Sequence, residues 1–327
     1  MFLAGDIGGT KTALVLVSRD SGPQRFLATA TFPSNKYRNL EEIVSEFLAA
    51  HPASLEGACF GVAGPVINQR AEITNMPWVI DGRAVSAHLG GVPVTLINDL
   101  VAFAQSVPYL RPEHLETLNP GAPDPHGTIA VIAPGTGLGE AYLTWEYGHY
   151  RAHPSEGGHS SFAPTTPLEV ELLQYMLEHH NHVSYERLCS GLGIPNLYAF
   201  FRDRVFRRET AEIAAALAVA SDPTPVIVDG ALDPATPCPL CTATLDCFLG
   251  ILGSEMGNLA LKVFATGGVY LGGGIPPRIL TQIRTARLLD AMRNKGRFRS
   301  MMERTPVYVI LDPRAALVGA AAYGLID

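Results

Sequence analysis

The chain has 327 residues, 47% of them apolar and 17% charged, which is enough for two compact lobes and excludes wholesale disorder. The formal net charge of −7 makes nucleic acid a poor partner, and the basic cluster Arg202, Arg204, Arg207 and Arg208 is diluted by Asp203 and Glu209. The apolar opening is too short for a secretion signal, the late run 315–326 is too short to span a bilayer, and an odd five cysteines suit a reducing compartment. A soluble, cytoplasmic protein without a membrane partner is expected.

Alternation and β-branching predict strands at 2–5, 12–18 and 25–32, forming an antiparallel meander. A helix pattern covers 40–50, followed by an apolar strand at 57–63, an extended piece near 71–74 and a helical stretch at 85–89. Residues 94–97 read as a buried parallel strand that leads into a helix over 99–106. Pro108, Pro112, Pro120, Pro123 and Pro125 then crowd one segment and mark a boundary between lobes 1–108 and 109–303. The second lobe opens with a strand at 128–133, the turn "APGTGLGE" and a strand at 141–146, then a glycine- and histidine-rich loop. Helical segments are predicted at 168–179, 197–206, 210–220 and 240–265. A strand at 269–271 ends in three glycines before a helix from Pro276, and a strand at 307–311 precedes a last helix at 315–325. Alternating strands and helices place the chain in the α/β class.

The two lobes open alike, since "DIGGTKTALVLV" and "APGTGLGEAYLTW" share a strand, a small-residue turn and a second strand. Glycine lets backbone N–H groups converge on an anion, and threonine hydroxyls add donors. Taken singly each turn is an ordinary hairpin, but two such turns, the run Gly272-Gly273-Gly274 and an acid at Asp6 together point to a nucleotide. No P-loop or protein-kinase signature is present. A carboxylate beside phosphates needs an intervening cation, so Asp6 implies Mg²⁺.

In "TLINDLVAF", Asn98 and Asp99 follow a buried strand at a helix start. Such a pair can cap the helix. It can also sit where open α/β sheets bind ligands, with the acid accepting a proton from a substrate hydroxyl. "HPSEGGHSSF" supplies Glu156 and His159, which read either as metal ligands with His149 and His153 or as partners for sugar hydroxyls. Glu186 in "VSYERLCSG" reads by default as a solvent-facing helix acid. Cys238, Cys241 and Cys247 lack a fourth ligand at zinc spacing.

Together, "GDIGGTKT", "LINDLVAFAQSVP", "PGTGLGEAYL", "EGGHSSFAP", "YERLCSGLGIPNLY" and "GGVYLGGGIPPRIL" resemble the bacterial glucokinases of the hexokinase–actin–heat-shock-protein ATPase superfamily, in order and over essentially the whole chain. The resemblance is more distant to the repressor–kinase sugar kinases, whose cysteine-rich zinc motif is absent. It implies a two-lobed actin-like, ribonuclease H-like α/β fold with a nucleotide and sugar cleft, the small lobe being rejoined by about 304–327. It further implies ATP- and Mg²⁺-dependent phosphorylation of glucose at its 6-hydroxyl by a homodimer. Asp99 would be the general base, and Asn98, Glu156, His159 and Glu186 would hold the other hydroxyls. Gly8, Gly9, Thr10 and Lys11 would meet the phosphates, and Asp6 would hold Mg²⁺ through water. Gly135, Thr136 and Gly137 would face them, Gly137 also reaching the sugar, with Gly272, Gly273 and Gly274 near the adenosine. Glu140 departs from the apolar residue many relatives carry, and Lys11 from the asparagine of the nearer ones. A sugar sensor without turnover, a kinase of mannose or glucosamine, and an assembling ATPase are the alternatives.

Overall fold

A computed structural model describes residues 1–326 apart from 74, 75, 207, 208, 236 and 237. The end of the extended piece near 71–74 and two arginines of the basic cluster, Arg207 and Arg208, therefore lie outside the described residues. The chain divides into two compact units, Met1–Leu115 with Ala141–Pro154 and Leu311–Asp327 in the first, and Glu116–Glu140 with Ser155–Ile310 in the second.

The first unit contains β1 (Phe2–Ile7), β2 (Lys11–Val17), β3 (Ala28–Pro33) and β4 (Gly57–Val62). A small antiparallel sheet follows, made of β5 (Val66–Ile67), β6 (Arg70–Glu72) and β7 (Val79–Asp81), and then β8 (Val94–Asn98). The main sheet has the order β3-β2-β1-β4-β8. β1, β2 and β3 pair antiparallel, and β1, β4 and β8 pair parallel. Strands covered on both faces read as apolar runs, and β4 is buried at every position, whereas β3 at the edge alternates. Gln69 covers the other edge. Its Oε1 accepts from Leu96 N at 2.6 Å and its Nε2 donates to Leu96 O at 3.3 Å, so a side chain stands in for a neighbouring strand.

Helix Leu40–Ala50 starts at Asn39, whose side chain accepts from Glu42 N, and it buries Leu40, Ile43, Val44 and Phe47 at helical spacing. Side chains such as Leu3, Ile7, Phe47 and Phe60 are almost fully enclosed. Each contributes about 1.5–3 kcal/mol by leaving water. Helix Ala315–Ile326 packs so closely that a Cβ on Gly319 would lie 1.6 Å from Ala102 O, and one on Gly324 would lie 2.1 Å from the Phe2 ring. Those two glycines let the last helix lie against helix Asp99–Gln105 and the sheet.

In the second unit, β10 (Ile129–Pro134), β13 (Gly268–Leu271) and β14 (Val307–Ile310) run parallel, and β9 (Leu115–Asn119) borders β14. β11 (Leu138–Glu146) starts here and pairs with β12 (His149–Ser155), and residues Ala141–Pro154 of this hairpin cluster with the first unit. The central helix Pro239–Val263 is buried along most of its length. Cys238 caps it, its Sγ accepting from Cys241 N at 3.3 Å, which accounts for the position of that cysteine without a metal.

Several predicted elements are corrected. The proline-crowded segment holds β9, because strand pairing tolerates prolines that flank it. The glycine- and histidine-rich loop contains β12, and the segment 197–206 is α-helical to Phe200 and then π-helical to Phe206. The helix expected from Pro276 is reduced to Leu280–Ile283. Helices Pro223–Leu232, Ala286–Arg293 and Arg299–Arg304 lie outside the predicted elements; Ala286–Arg293 is amphipathic, burying Leu288 and Met292, but it is short.

Candidate active site

In the first unit the opening hairpin closes with Gly8 N–H donating to Lys11 O at 3.0 Å. Two-residue hairpins normally need glycine for positive φ, yet neither Gly8 nor Gly9 adopts it. Their conformations therefore do not require glycine, and what the residues provide is a backbone without side chains. Ser34 fixes this turn: its Oγ donates to Gly8 O at 2.8 Å, lies 3.0 Å from Thr12 Oγ1, and its N–H donates to Thr10 O. Thr10 and Lys11 stay exposed at the rim.

Asp6 and Asp99 stand at the carboxyl ends of parallel strands. Burial raises the Asp6 carboxyl above the usual range, and Lys11 opposes this. Asp99 is pushed up to about 6, chiefly by burial and further by the Asp6 charge. The N–H of Leu100, 2.8 Å from its Oδ1, and the Asn98 amide hold it down. Asn98 is also the helix cap, with Oδ1 accepting from Leu100 N at 2.9 Å and Nδ2 donating to Gly64 O at 3.2 Å. Capping and orientation of Asp99 are thus one function of one side chain. On Gly61 a Cβ would come within 2.8 Å of Ala102 Cβ, so glycine in β4 lets the helix start sit low on the sheet.

In the second unit, Gly135 N–H donates to Gly137 O at 2.8 Å, and Gly191 N–H and Leu192 N–H donate to Gly135 O and Thr136 O. Glu186 Oε2 accepts from Leu138 N at 2.9 Å, and a Cβ on Gly137 would be 2.4 Å from that same oxygen. A side chain at 137 would displace the Glu186 carboxylate from this position. The glycine run joins this turn: Gly273 has φ +86° and a Cβ there would meet Pro134 O at 2.4 Å, while Gly272 N–H donates to Ile132 O. Gly135 and Gly274 face open space.

Glu156 precedes and His159 ends a short helical turn, Gly157–His159. Residues 158–162 pair with 183–186, Glu186 N–H donating to Gly158 O at 2.9 Å and Phe162 N–H to Val183 O. This brings His159 Nδ1 to 3.7 Å from Glu186 Oε1 and His159 Nε2 to 3.9 Å from Glu156 Oε2. Glu186 is thus partly enclosed beside His159, not on a solvent-facing helix. His153 is engaged elsewhere, its Nε2 2.7 Å from Thr144 Oγ1, and among the described residues no group of three or more His, Cys, Asp or Glu could hold a metal ion.

Within the first unit the fold therefore assembles Asp6, Gly8, Gly9, Thr10, Lys11, Asn98 and Asp99. Within the second it joins Gly135, Thr136, Gly137 and Gly272–Gly274 to Glu186, and through Glu186 to His159 and Glu156. The support Ser34 has no motif of its own and is visible only from its hydrogen bonds, whereas Gly191 closes the segment "VSYERLCSG". Among the described residues no helix is long and apolar enough to cross a membrane.

Residues 3–325 match the Glucokinase family model. The chain is 39% identical to the glucokinase of Nostoc punctiforme over 335 residues, covering 98% of each chain. It is 35% identical to that of Cronobacter sakazakii, covering 98% of this chain and 96% of the relative. A solved glucokinase from an Antarctic psychrotroph superposes with a TM-score of 0.83 at 32% identity, over 98% of both chains. A ROK family glucokinase from Streptomyces griseus, solved with glucose and AMPPNP, shares the fold at TM-score 0.62 and 21% identity, over 100% of this chain and 99% of that one. The α/β fold is accordingly that of the actin-like sugar kinases, and the chain belongs to the glucokinase family of enzymes.

Proposed function

We propose that this protein transfers the terminal phosphoryl group of ATP to the 6-hydroxyl of glucose, giving glucose 6-phosphate and ADP. The observation that carries the reading is Asp99, a half-buried carboxyl at a strand end pushed up to about 6, ionised at neutral pH yet more basic than an ordinary aspartate. It accepts the hydroxyl proton while Asn98 holds it in place. In the second unit, Glu156, His159 and Glu186 accept from and donate to the remaining hydroxyls. Gly8, Gly9, Thr10 and Lys11 in the first unit, and Gly135, Thr136 and Gly137 in the second, are the phosphate turns: the N–H groups of Gly8 and Gly135 close them, and the Thr10 hydroxyl, the Lys11 cation and the side-chain-free backbone meet phosphate oxygens. Gly272–Gly274 leave room for the nucleoside.

Asp6 and Asp99 raise each other's burden of negative charge, and oxygen donors of this kind suit Mg²⁺. Asp6 would hold the ion through water, and the ion would supply charge neutralisation at the phosphates. A protein of the same fold that holds glucose and AMPPNP supports this ligand pair.

The test is ADP release from Mg-ATP with a panel of hexoses and a no-sugar control. Strong release with glucose, and little with its epimers or without sugar, is expected. Release that no sugar stimulates would leave a sensor or an assembling ATPase instead.

A further inference from the structure

Under the loop that carries Glu156 and His159 lies a buried acid pair with no part in the reaction above. Glu140, near the start of β11, is 1% exposed, and neither of its carboxyl oxygens has a hydrogen-bond donor. It faces Glu255 of helix Pro239–Val263, also fully buried, whose oxygens accept from Asn258 Nδ2 at 2.8 Å and Lys262 Nζ at 3.2 Å. Lys262 is the cation that faces Glu140 from the same helix. From the other packed segments, Tyr185 and Cys189 face the pair, and Lys295 donates to Asn258 Oδ1 at 2.7 Å.

An ionised Glu140 would be a buried charge with no donor, beside a second carboxylate that already takes the nearest cation. A neutral Glu140 has an O–H to give to Glu255, and the two acids then share one proton. Burial first and the Glu255 charge second push the Glu140 carboxyl up to about 8, with Lys262 opposing.

The loop rests directly on this acid. A Cβ on Gly157 would lie 1.9 Å from Glu140 Oε2, and one on Gly158 would lie 2.1 Å from Leu138 O. The same Gly158 carbonyl takes the N–H of Glu186. Glu140 is therefore the floor for Glu156 and His159 and, through Gly158, for Glu186.

We propose that Glu140 is a positioning residue for sugar binding, a neutral acid that donates its proton to Glu255 and so seats the Gly157–His159 loop. The inference rests on the reading of that loop as the sugar site. Loss of the proton to solvent leaves two anions side by side and unseats the loop, so affinity is present at lower pH and lost as pH rises.

Calorimetric titration of glucose into the full chain and into Glu140→Gln, from about pH 6.5 to about pH 9.5, tests this. The wild-type Kd should be flat to about pH 8 and then weaken up to about tenfold per pH unit. Glu140→Gln, which is neutral at every pH and keeps a donor, should bind as the wild type does at neutral pH and stay flat above it. A wild type without the alkaline loss, or a variant that keeps it, overturns the proposal alone. A folded wild type that binds no glucose at any pH overturns the sugar reading and this proposal with it. Should the variant not fold, the infrared spectrum of the wild type decides. A neutral-carboxyl carbonyl band at neutral pH that vanishes at alkaline pH is expected, and absence of that band at neutral pH overturns the assignment.

Discussion

Asp6 with Asp99 in the first unit, half-buried, and Glu140 with Glu255 in the second, fully buried, are both acid pairs, yet they suit opposite tasks. In each, burial and a second carboxyl push one member upward. Asp99 takes the N–H of Leu100 and the Asn98 amide and comes to rest at about 6. Glu140 takes no donor and rests at about 8. The depth of burial and the number of N–H groups aimed at a carboxyl together decide whether it is ionised at neutral pH and able to accept a proton, or neutral and able to donate one.

The largest expected effect breaks the first pair. Asp99→Asn keeps shape and removes the base, so turnover should fall by about 10²–10⁴-fold or more while glucose affinity stays near that of the wild type. Steady-state rates beside calorimetric titration would check this, and unchanged turnover would rule out Asp99 as the base.

Gly157→Ala strikes the second pair, pressing a methyl group against Glu140 Oε2 so that the carboxyl or the loop must shift. A loss of about 1–3 kcal/mol in stability is expected from overpacking, together with weaker glucose binding. Urea unfolding and titration measure both, and a variant with wild-type midpoint and affinity would show that the loop does not rest on the acid.

The smallest effect sharpens the contrast through pH. Asp99 must be ionised to act, so turnover should be about half-maximal near pH 6 and fall up to about tenfold per unit below it, while bound Mg²⁺ would move that limb acidward. The acid limb from Asp99 and the alkaline limb from Glu140 should then be separable. An acid limb that persists in the residual activity of Asp99→Asn would belong to another group.

Much of the proposed sugar site was legible because it lies in contiguous motifs: Asn98-Asp99 after an apolar strand, and Glu156 with His159 around two glycines. Glu186 was harder to place, because a lone glutamate in "VSYERLCSG" looks solvated until the pairing of 158–162 with 183–186 puts it beside His159. Ser34 carried no signal at all, since one serine among several locks Gly8 from 26 residues away. Helices Pro223–Leu232, Ala286–Arg293 and Arg299–Arg304 were missed because they are short, and in Ala286–Arg293 only Leu288 and Met292 are buried among charged neighbours.

Periodicity, glycine turns and the order of motifs are local properties, and they were enough to settle the α/β class, the meander that opens the chain and the family. They also explain why acids and glycines recur at strand ends, since short-range sterics and charge act along a few neighbouring residues. The state of each carboxyl was decided only by the packed structure. Desolvation and donor count depend on residues as far apart in sequence as Glu140, Gly157 and Glu255, and only folding brings those into contact.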